Sequence, residues 1–394
     1  MNLSNNTARA LGFDKLAPVA LLGVVGLGVL CGVAFASDKT TFLQSYLMGW
    51  LFWMLLAIGC LGFTLLHHTI RAAWSLSILR LLEAGSSPMM FAALAIAFVP
   101  IAANTHTLYE WTHTAFMQSH PALQYKLWFL NETGWFVRSA VYFLIFFGMS
   151  AILRKSSHEQ DRTGETRLAE GRTTLSAPGL VVFVLTVTLA TTDWVMSLDP
   201  HWFSHIFGAW LMVGGALTAI AVMNWIVCRN ALRAPFAEIV NKGLTKDLGN
   251  MMFVFTLLWA YTSLSQFLII WSGNLPEFIT YYGSRTKMGW DTMGLILIAG
   301  QFLAPFLLLM APRTKAVPRL LMLMASWILL MRVVDVFWIV APFFRKNGVE
   351  VVWTDFAAFG FMGCLWLFVF ARSALQGSLI PTHDPRVKEA YHHA

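Results

Sequence analysis

Charge is what this chain has least of. Only 12% of its 394 residues are Asp, Glu, Lys or Arg, against 57% hydrophobic, and the mean hydropathy is +0.63. That balance excludes a soluble globular domain, whose surface could not be covered from so small a stock of charge. Cysteine is scarce too. Cys31, Cys60, Cys228 and Cys364 lie in or at the ends of apolar runs, and no two are spaced as CxxC. The sequence therefore offers no zinc ribbon, no thiolate set for an iron–sulfur cluster and no attachment site for c-type haem. A basic tract is also missing. The net charge of +7 is spread over the short connections between apolar segments, so it is not a nucleic-acid footprint.

What is abundant is long apolar sequence. Segments of about 20 residues, each long enough to cross a ~30 Å hydrocarbon core as a helix, recur along nearly the whole chain. The expected spans are roughly 16–36, 42–66, 87–103, 134–153, 177–197, 203–227, 249–272, 290–311, 319–341 and 353–371. The fold class is thus an all-α polytopic membrane protein with about ten transmembrane helices. Arg9 and Lys15 before an apolar run ending in Ala34-Phe35-Ala36 have the order of a signal peptide. The run is long for one, and the reading is an uncleaved first helix.

Lys and Arg set the orientation. Of 27, 19 fall at the N-terminus, the C-terminus and every second connection, six fall in the opposite loops, and two (Arg138 and Arg332) fall inside spans. The positive-inside rule then places both termini in the cytoplasm. Residues 72–85 are amphipathic and are expected to lie along the surface. Residues 154–176 are charged and are expected to form a mobile, solvated connector. Two outer loops are expected, over 104–132 and 273–289; the first is rich in His, Tyr and Trp and is the best candidate for partner contact.

The densest polar stretch is 191–205, Thr-Thr-Asp-Trp-Val-Met-Ser-Leu-Asp-Pro-His-Trp-Phe-Ser-His. Pro200 forces a turn. Trp194 and Trp202 are expected as anchors at the membrane interface. Asp193 falls about one helical turn inside the span, where a carboxylate is costly to hold. Arg138, Arg332 and Asp335 also fall inside spans, all on one leaflet. Charges at such depth should pair or face water. Arg332 and Asp335 are spaced to pair on one helix face, and Arg138 can reach Asp193 from a neighbouring helix. These four residues form either staples between helices or the wall of a polar cavity or proton path, with Gln266, Gln301, Ser263, Ser265 and Tyr261 at similar depth. Asp199, His201 and Glu277 would stand at its outer mouth. His201 and His205, four apart, could share a metal on a helix, but beside two tryptophans they read better as polar edge residues. None of the eleven histidines is mid-span, so no metal site and no membrane haem is expected.

Several segments resemble one family. Asp193-Trp194-Val195-Met196-Ser197-Leu198-Asp199-Pro200-His201-Trp202-Phe203-Ser204, followed by Ile206-Phe207-Gly208, is similar to a loop in a membrane subunit of bacterial alternative complex III. So are Ser265 to Trp271 with Asn274-Leu275-Pro276-Glu277, Pro305 to Leu309 with Lys315, Arg332 to Trp338 with Pro342, and His67-His68 with Trp74, Arg80 and Glu83. The family is that of NrfD/polysulfide-reductase membrane anchors, and the length suits the smaller, ActF-type subunit. The resemblance implies two four-helix bundles with an extra helix at each end, divided as 1–41, 42–200, 201–345 and 346–394. It implies a quinol-oxidising electron-transfer complex in which this subunit binds no cofactor covalently. Quinol would lie nearby, and iron–sulfur clusters and haem c would sit on partner subunits: an iron–sulfur protein, c-type cytochromes and a sister NrfD-like subunit. The subunit itself would be quinone-proximal or proton-conducting. Phe278 after Glu277, and Gln301, stand where the family often has titratable groups. The rival readings are an anchor of another NrfD-type reductase, a secondary transporter, or a purely structural anchor.

Overall fold

The computed structural model describes residues 7–70, 74–381, 383 and 384; the side chains of Glu277 and Phe278 are outside that description. Among the described residues, ten helices are long and apolar enough to cross a membrane, and there is no strand. They are α1 (Phe13–Ser37), α2 (Lys39–Ile70), α3 (Leu76–Ala102), α4 (Glu132–Thr163), α5 (Arg167–Leu198), α6 (Phe207–Arg229), α7 (Lys242–Gly273), α8 (Trp290–Met310), α9 (Pro318–Phe344) and α10 (Trp353–Ala374). This is the expected all-α polytopic fold. Hydrocarbon supplies no hydrogen bonds, and a helix satisfies its backbone within itself. Ten crossings bring both ends of the array to one face, where the Leu379 amide donates to Thr7 Oγ1 at 3.1 Å. We call it the basic face. Arg71, Arg386 and Lys388, counted toward its charge, lie outside the described residues.

The helices α2–α5 pack as one group and α6–α9 as another, meeting along α2 and α6. The two terminal helices pack on each other, with α10 also against α2 and α3. The α2–α6 contact is backbone on backbone. A Cβ on Gly59 would lie 2.2 Å from the Gly215 carbonyl oxygen, and one on Gly215 would lie 2.5 Å from that of Leu55. Only glycine fits at either position, as small residues permit in lipid-embedded interfaces generally.

Three expectations are corrected. Leu76–Gly85 does not lie on the surface; it is buried throughout and forms the first part of α3. Arg80 and Glu83 neutralise one another there, which lets the apolar residues around them pack inward. Pro88 then interrupts the helix, having no amide proton to continue it. The polar groups at the break are taken up by neighbours: the Ser86 carbonyl accepts from Ser150 Oγ, and Ser87 Oγ lies 2.9 Å from Ser373 Oγ.

Residues 154–176 are not a mobile connector. The 32-residue helix α4 is about 48 Å long at 1.5 Å per residue and outreaches the ~30 Å core. It runs on past the membrane, as does α5, leaving only residues 164–166 between them. Arg154, Ser157, Gln160 and Arg172 are buried where the two extensions meet the rest of the protein. Trp194 and Trp202 are not interface anchors either; both are buried. Trp194 packs edge-on to Trp50 at 5.1 Å and donates Nε1 to Ser139 Oγ at 3.1 Å.

One further irregularity lies in α8, whose residues Ile298–Leu303 form a π turn. Pro305 lacks the amide that would bond the carbonyl of Gln301 four residues back, and its ring crowds that carbonyl. Trp327 Nε1 donates to the neighbouring Gly300 carbonyl at 2.7 Å.

The α2–α6 contact predicts that Gly59→Ala lowers the thermal stability of the purified protein, by about 1–3 kcal/mol as for overpacked cores. Gly26→Ala, where an added Cβ meets nothing within 4 Å, should leave the melting temperature unchanged.

Candidate functional site

Two of the buried guanidinium–carboxylate pairs, Arg138–Asp193 and Arg332–Asp335, fall one in each four-helix group. Asp193, near the end of α5 away from the basic face, is fully buried. Arg138 on α4 grips both of its oxygens, Nε to Oδ2 and Nη2 to Oδ1, at 2.8 Å each. The Tyr142 hydroxyl donates to Oδ2 at 2.7 Å. The backbone carbonyl of Asp193 accepts Trp135 Nε1 at 2.9 Å and Ser197 Oγ at 2.6 Å. Arg138 also donates to the Phe129 carbonyl at 2.9 Å and lies 3.9 Å over the Phe129 ring. Every acceptor of Asp193 is thus occupied, and the bidentate geometry is the strong form of such a pair.

The second pair is on α9. Arg332 Nη1 donates to Asp335 Oδ2, one turn on, and Trp259 Nε1 of α7 donates to the same oxygen at 3.1 Å. Arg332 Nε reaches Thr218 Oγ1 of α6 at 3.2 Å. The guanidinium occupies space that any side chain at 214 would need, since a Cβ on Gly214 would come 2.3 Å from Nη2. The other oxygen, Asp335 Oδ1, has no partner among the described residues although the residue is wholly buried. An unpaired carboxylate oxygen in a low-dielectric interior is costly, so this atom calls for a water, a proton or a ligand atom.

Other unpartnered buried donors lie beyond it. Trp210 Nε1 on α6 has no partner, and its ring meets Trp338 at 6.4 Å, on the α9 turn after Asp335. Tyr281 touches Trp338 at 6.5 Å and stacks on Trp202 at 4.3 Å; the Tyr281 hydroxyl and Trp202 Nε1 are both unpartnered. Ring by ring, these donors lead from the Asp335 region to the loop after Asp199. The Gln301 side chain, in the π turn, is buried with neither amide atom bonded. Gln266 gives its oxygen to Ser204 Oγ and leaves its nitrogen unpartnered. Tyr261, by contrast, points away from the helix bundle and is exposed.

The four charged residues thus make two sites. Among the described residues no hydrogen bond joins Arg138–Asp193 to Arg332–Asp335. At the mouth, Asp199 Oδ1 accepts the amides of His201 at 3.0 Å and Trp202 at 3.4 Å, which shapes its own turn. The His201 ring faces His120 at 5.0 Å. Lys126 donates to the Pro200 carbonyl at 2.7 Å; burial lowers its ammonium below the usual lysine range, and Asp199 opposes that shift. The outer loop before α4 is therefore latched to the loop after α5. Glu277 lies in the short helix Pro276–Gly283, its side chain outside the described part. His201 and His205 do not converge, because the segment around Pro200 is not helical and their four-residue spacing brings nothing together; His205 packs on Phe203 at 5.7 Å. Among the described residues no three His, Cys, Asp or Glu side chains cluster as a metal would need.

A third polar cluster, at the basic face, escaped the sequence reading. Arg80 donates to Glu83 Oε2 at 2.6 Å, to Ser157 Oγ at 2.8 Å and to Asp161. Arg154 donates to the Glu83 carbonyl at 2.8 Å and to the Ser373 carbonyl at 2.7 Å. Arg172 joins Gln160, and His67 Nδ1 lies 2.5 Å from Ser75 Oγ. A usable signal was present: Arg80 and Glu83 repeat the three-residue spacing of Arg332 and Asp335.

The helix array and the buried charges define the chain as a multi-pass integral membrane protein. Comparison with protein-family models returned no match, and comparison with curated proteins returned none either.

The fully buried pair on α9 predicts a specific pattern. Asp335→Ala strands the Arg332 charge and should destabilise the protein by about 3–5 kcal/mol. Arg332→Met combined with Asp335→Leu should recover most of that loss. Thermal melts of the purified single and double variants in one detergent measure it.

Proposed function

We propose that this chain is an integral-membrane subunit of a quinol-oxidising complex of the alternative complex III type, in a bacterial cytoplasmic membrane. It contributes a proton-conducting or quinone-proximal module and anchors iron–sulfur and haem c subunits. The observation that carries the reading is Asp335 Oδ1, a buried carboxylate oxygen without a partner, with the unpartnered donors of Trp210, Tyr281 and Trp202 beyond it. Quinol oxidation releases protons, and such an oxygen is an apt acceptor. Waters bridging the free donors would then carry the proton to the face opposite the basic one. The segments quoted above, which resemble the NrfD-type anchors, supply the context of a quinol complex.

Asp193 differs in role. With its acceptors filled it holds α4 to α5, the behaviour of a structural anchor. A secondary transporter finds less support. Its sign is a pair of broken helices at corresponding places in two halves, whereas the interruptions here fall in the second helix of one group, α3, and the third of the other, α8.

The test is Asp335→Asn in the natively purified complex. Quinol-driven turnover and proton release should fall on the order of tenfold or more, as when a positioned acid–base group is lost. Asp193→Asn should give the smaller effect. Unchanged turnover and proton release in an intact Asp335→Asn complex would sink the role given to this carboxylate. A molybdopterin subunit co-purifying without haem c would move the chain to another NrfD-type reductase.

A further inference from the structure

At the basic face, where α1 begins and α10 ends, the two terminal helices enclose a groove of about 480 Å³. Three charged side chains line it: Arg9 and Asp14 at the start of the chain, and Arg372 on the last turn of α10. Its other walls are apolar, Leu21, Phe368 and Leu375 among them. All three charged residues are exposed, and none forms an ion pair among the described residues. The mechanism proposed above uses none of them.

Depth and chemistry fix what such a groove accepts. The charges stand where the apolar sequence of α1 starts, which is the level of lipid headgroups. Below them Leu21 leads onto the open face of α1, where Val19, Leu22, Val25 and Val29 are all exposed to the hydrocarbon. An occupant therefore carries a polar head and a long apolar tail. Two guanidiniums suit a phosphate, for which arginine geometry is favoured. Asp14 adds a feature that a purely anionic headgroup cannot use: a carboxylate beside that phosphate position. A primary ammonium completes the set.

We propose that this groove is a binding site for a phospholipid with a primary-amine headgroup, of the phosphatidylethanolamine class. Its phosphate sits between Arg9 and Arg372, its ammonium on Asp14, and one acyl chain runs along Leu21 and Phe368. The lipid thereby bridges α1, the least buried of the ten helices, to α10.

Native mass spectrometry of the full chain, or of the complex that contains it, tests this with three chain-matched lipids: phosphatidylethanolamine, phosphatidylcholine and phosphatidylglycerol. Phosphatidylethanolamine should bind about tenfold more tightly than phosphatidylcholine, whose quaternary ammonium cannot donate to Asp14. Arg9→Gln with Arg372→Gln should abolish that tight binding. Asp14→Asn should erase the preference over phosphatidylcholine and strengthen phosphatidylglycerol. Equal binding of all three lipids by the wild type would overturn the assignment. So would tightest binding of phosphatidylglycerol, which would make the site an anionic-lipid site. Selectivity that survives all the substitutions would place the lipid elsewhere. Because the three residues are exposed, lipid-free melting temperatures should match the wild type, which separates lost binding from lost fold.

Discussion

The architecture hangs on two adjacent glycines in α6. Gly215 lets the α6 backbone press against that of α2, and this contact joins the two four-helix groups. Gly214, about 100° further round the same helix, leaves the space that the Arg332 guanidinium fills. One dipeptide therefore sets both how the groups meet and where the deepest cation sits. Packing in lipid has no hydrophobic drive between helices, so the energy must come from close contact and from polar bonds. Here the two sources are side by side.

The two ion pairs show how differently the same residue types can be used. Asp193 is surrounded: two bonds from Arg138, one from Tyr142, and two more on its own carbonyl. Asp335 shares one oxygen between Arg332 and Trp259 and leaves the other bare. A saturated carboxylate is held in place by its donors; a half-bonded one can exchange partners. The π turn of α8 adds Gln301, another buried polar group without a partner, to the same helix group. Such turns are frequent at functional sites.

Much of this was legible in the sequence, because the controlling forces are local. Apolar length gave the helices, the spacing of Arg332 and Asp335 gave one pair, and matched depth gave Arg138 with Asp193. What was not legible depended on long-range satisfaction. Arg154 and Arg172 look like the residues of a solvated loop until Ser373, Gln160 and Ser156 are seen to receive them. Trp194 and Trp202 have the composition of interface anchors, and only the rings of Trp50 and Tyr281 reveal them as core. Likewise, the freedom of Asp335 Oδ1 is a property of its surroundings, which no pattern of residues encodes.

The joining of the chain's beginning to its end has a consequence for biogenesis. Trp53 donates to the Phe359 carbonyl at 3.0 Å, Ser45 to Asp355 at 2.6 Å, and Arg154 to the Ser373 carbonyl, all of them partners on or beside the last helix. While the ribosome is still making α9, these early groups are already in place with their α10 partners unmade. The nascent protein therefore carries a guanidinium with only its Glu83 bond made, and bare donors, until translation is almost over. A chain cut short before α10 exposes them permanently, which distinguishes it from a finished one for any protease that surveys the bilayer.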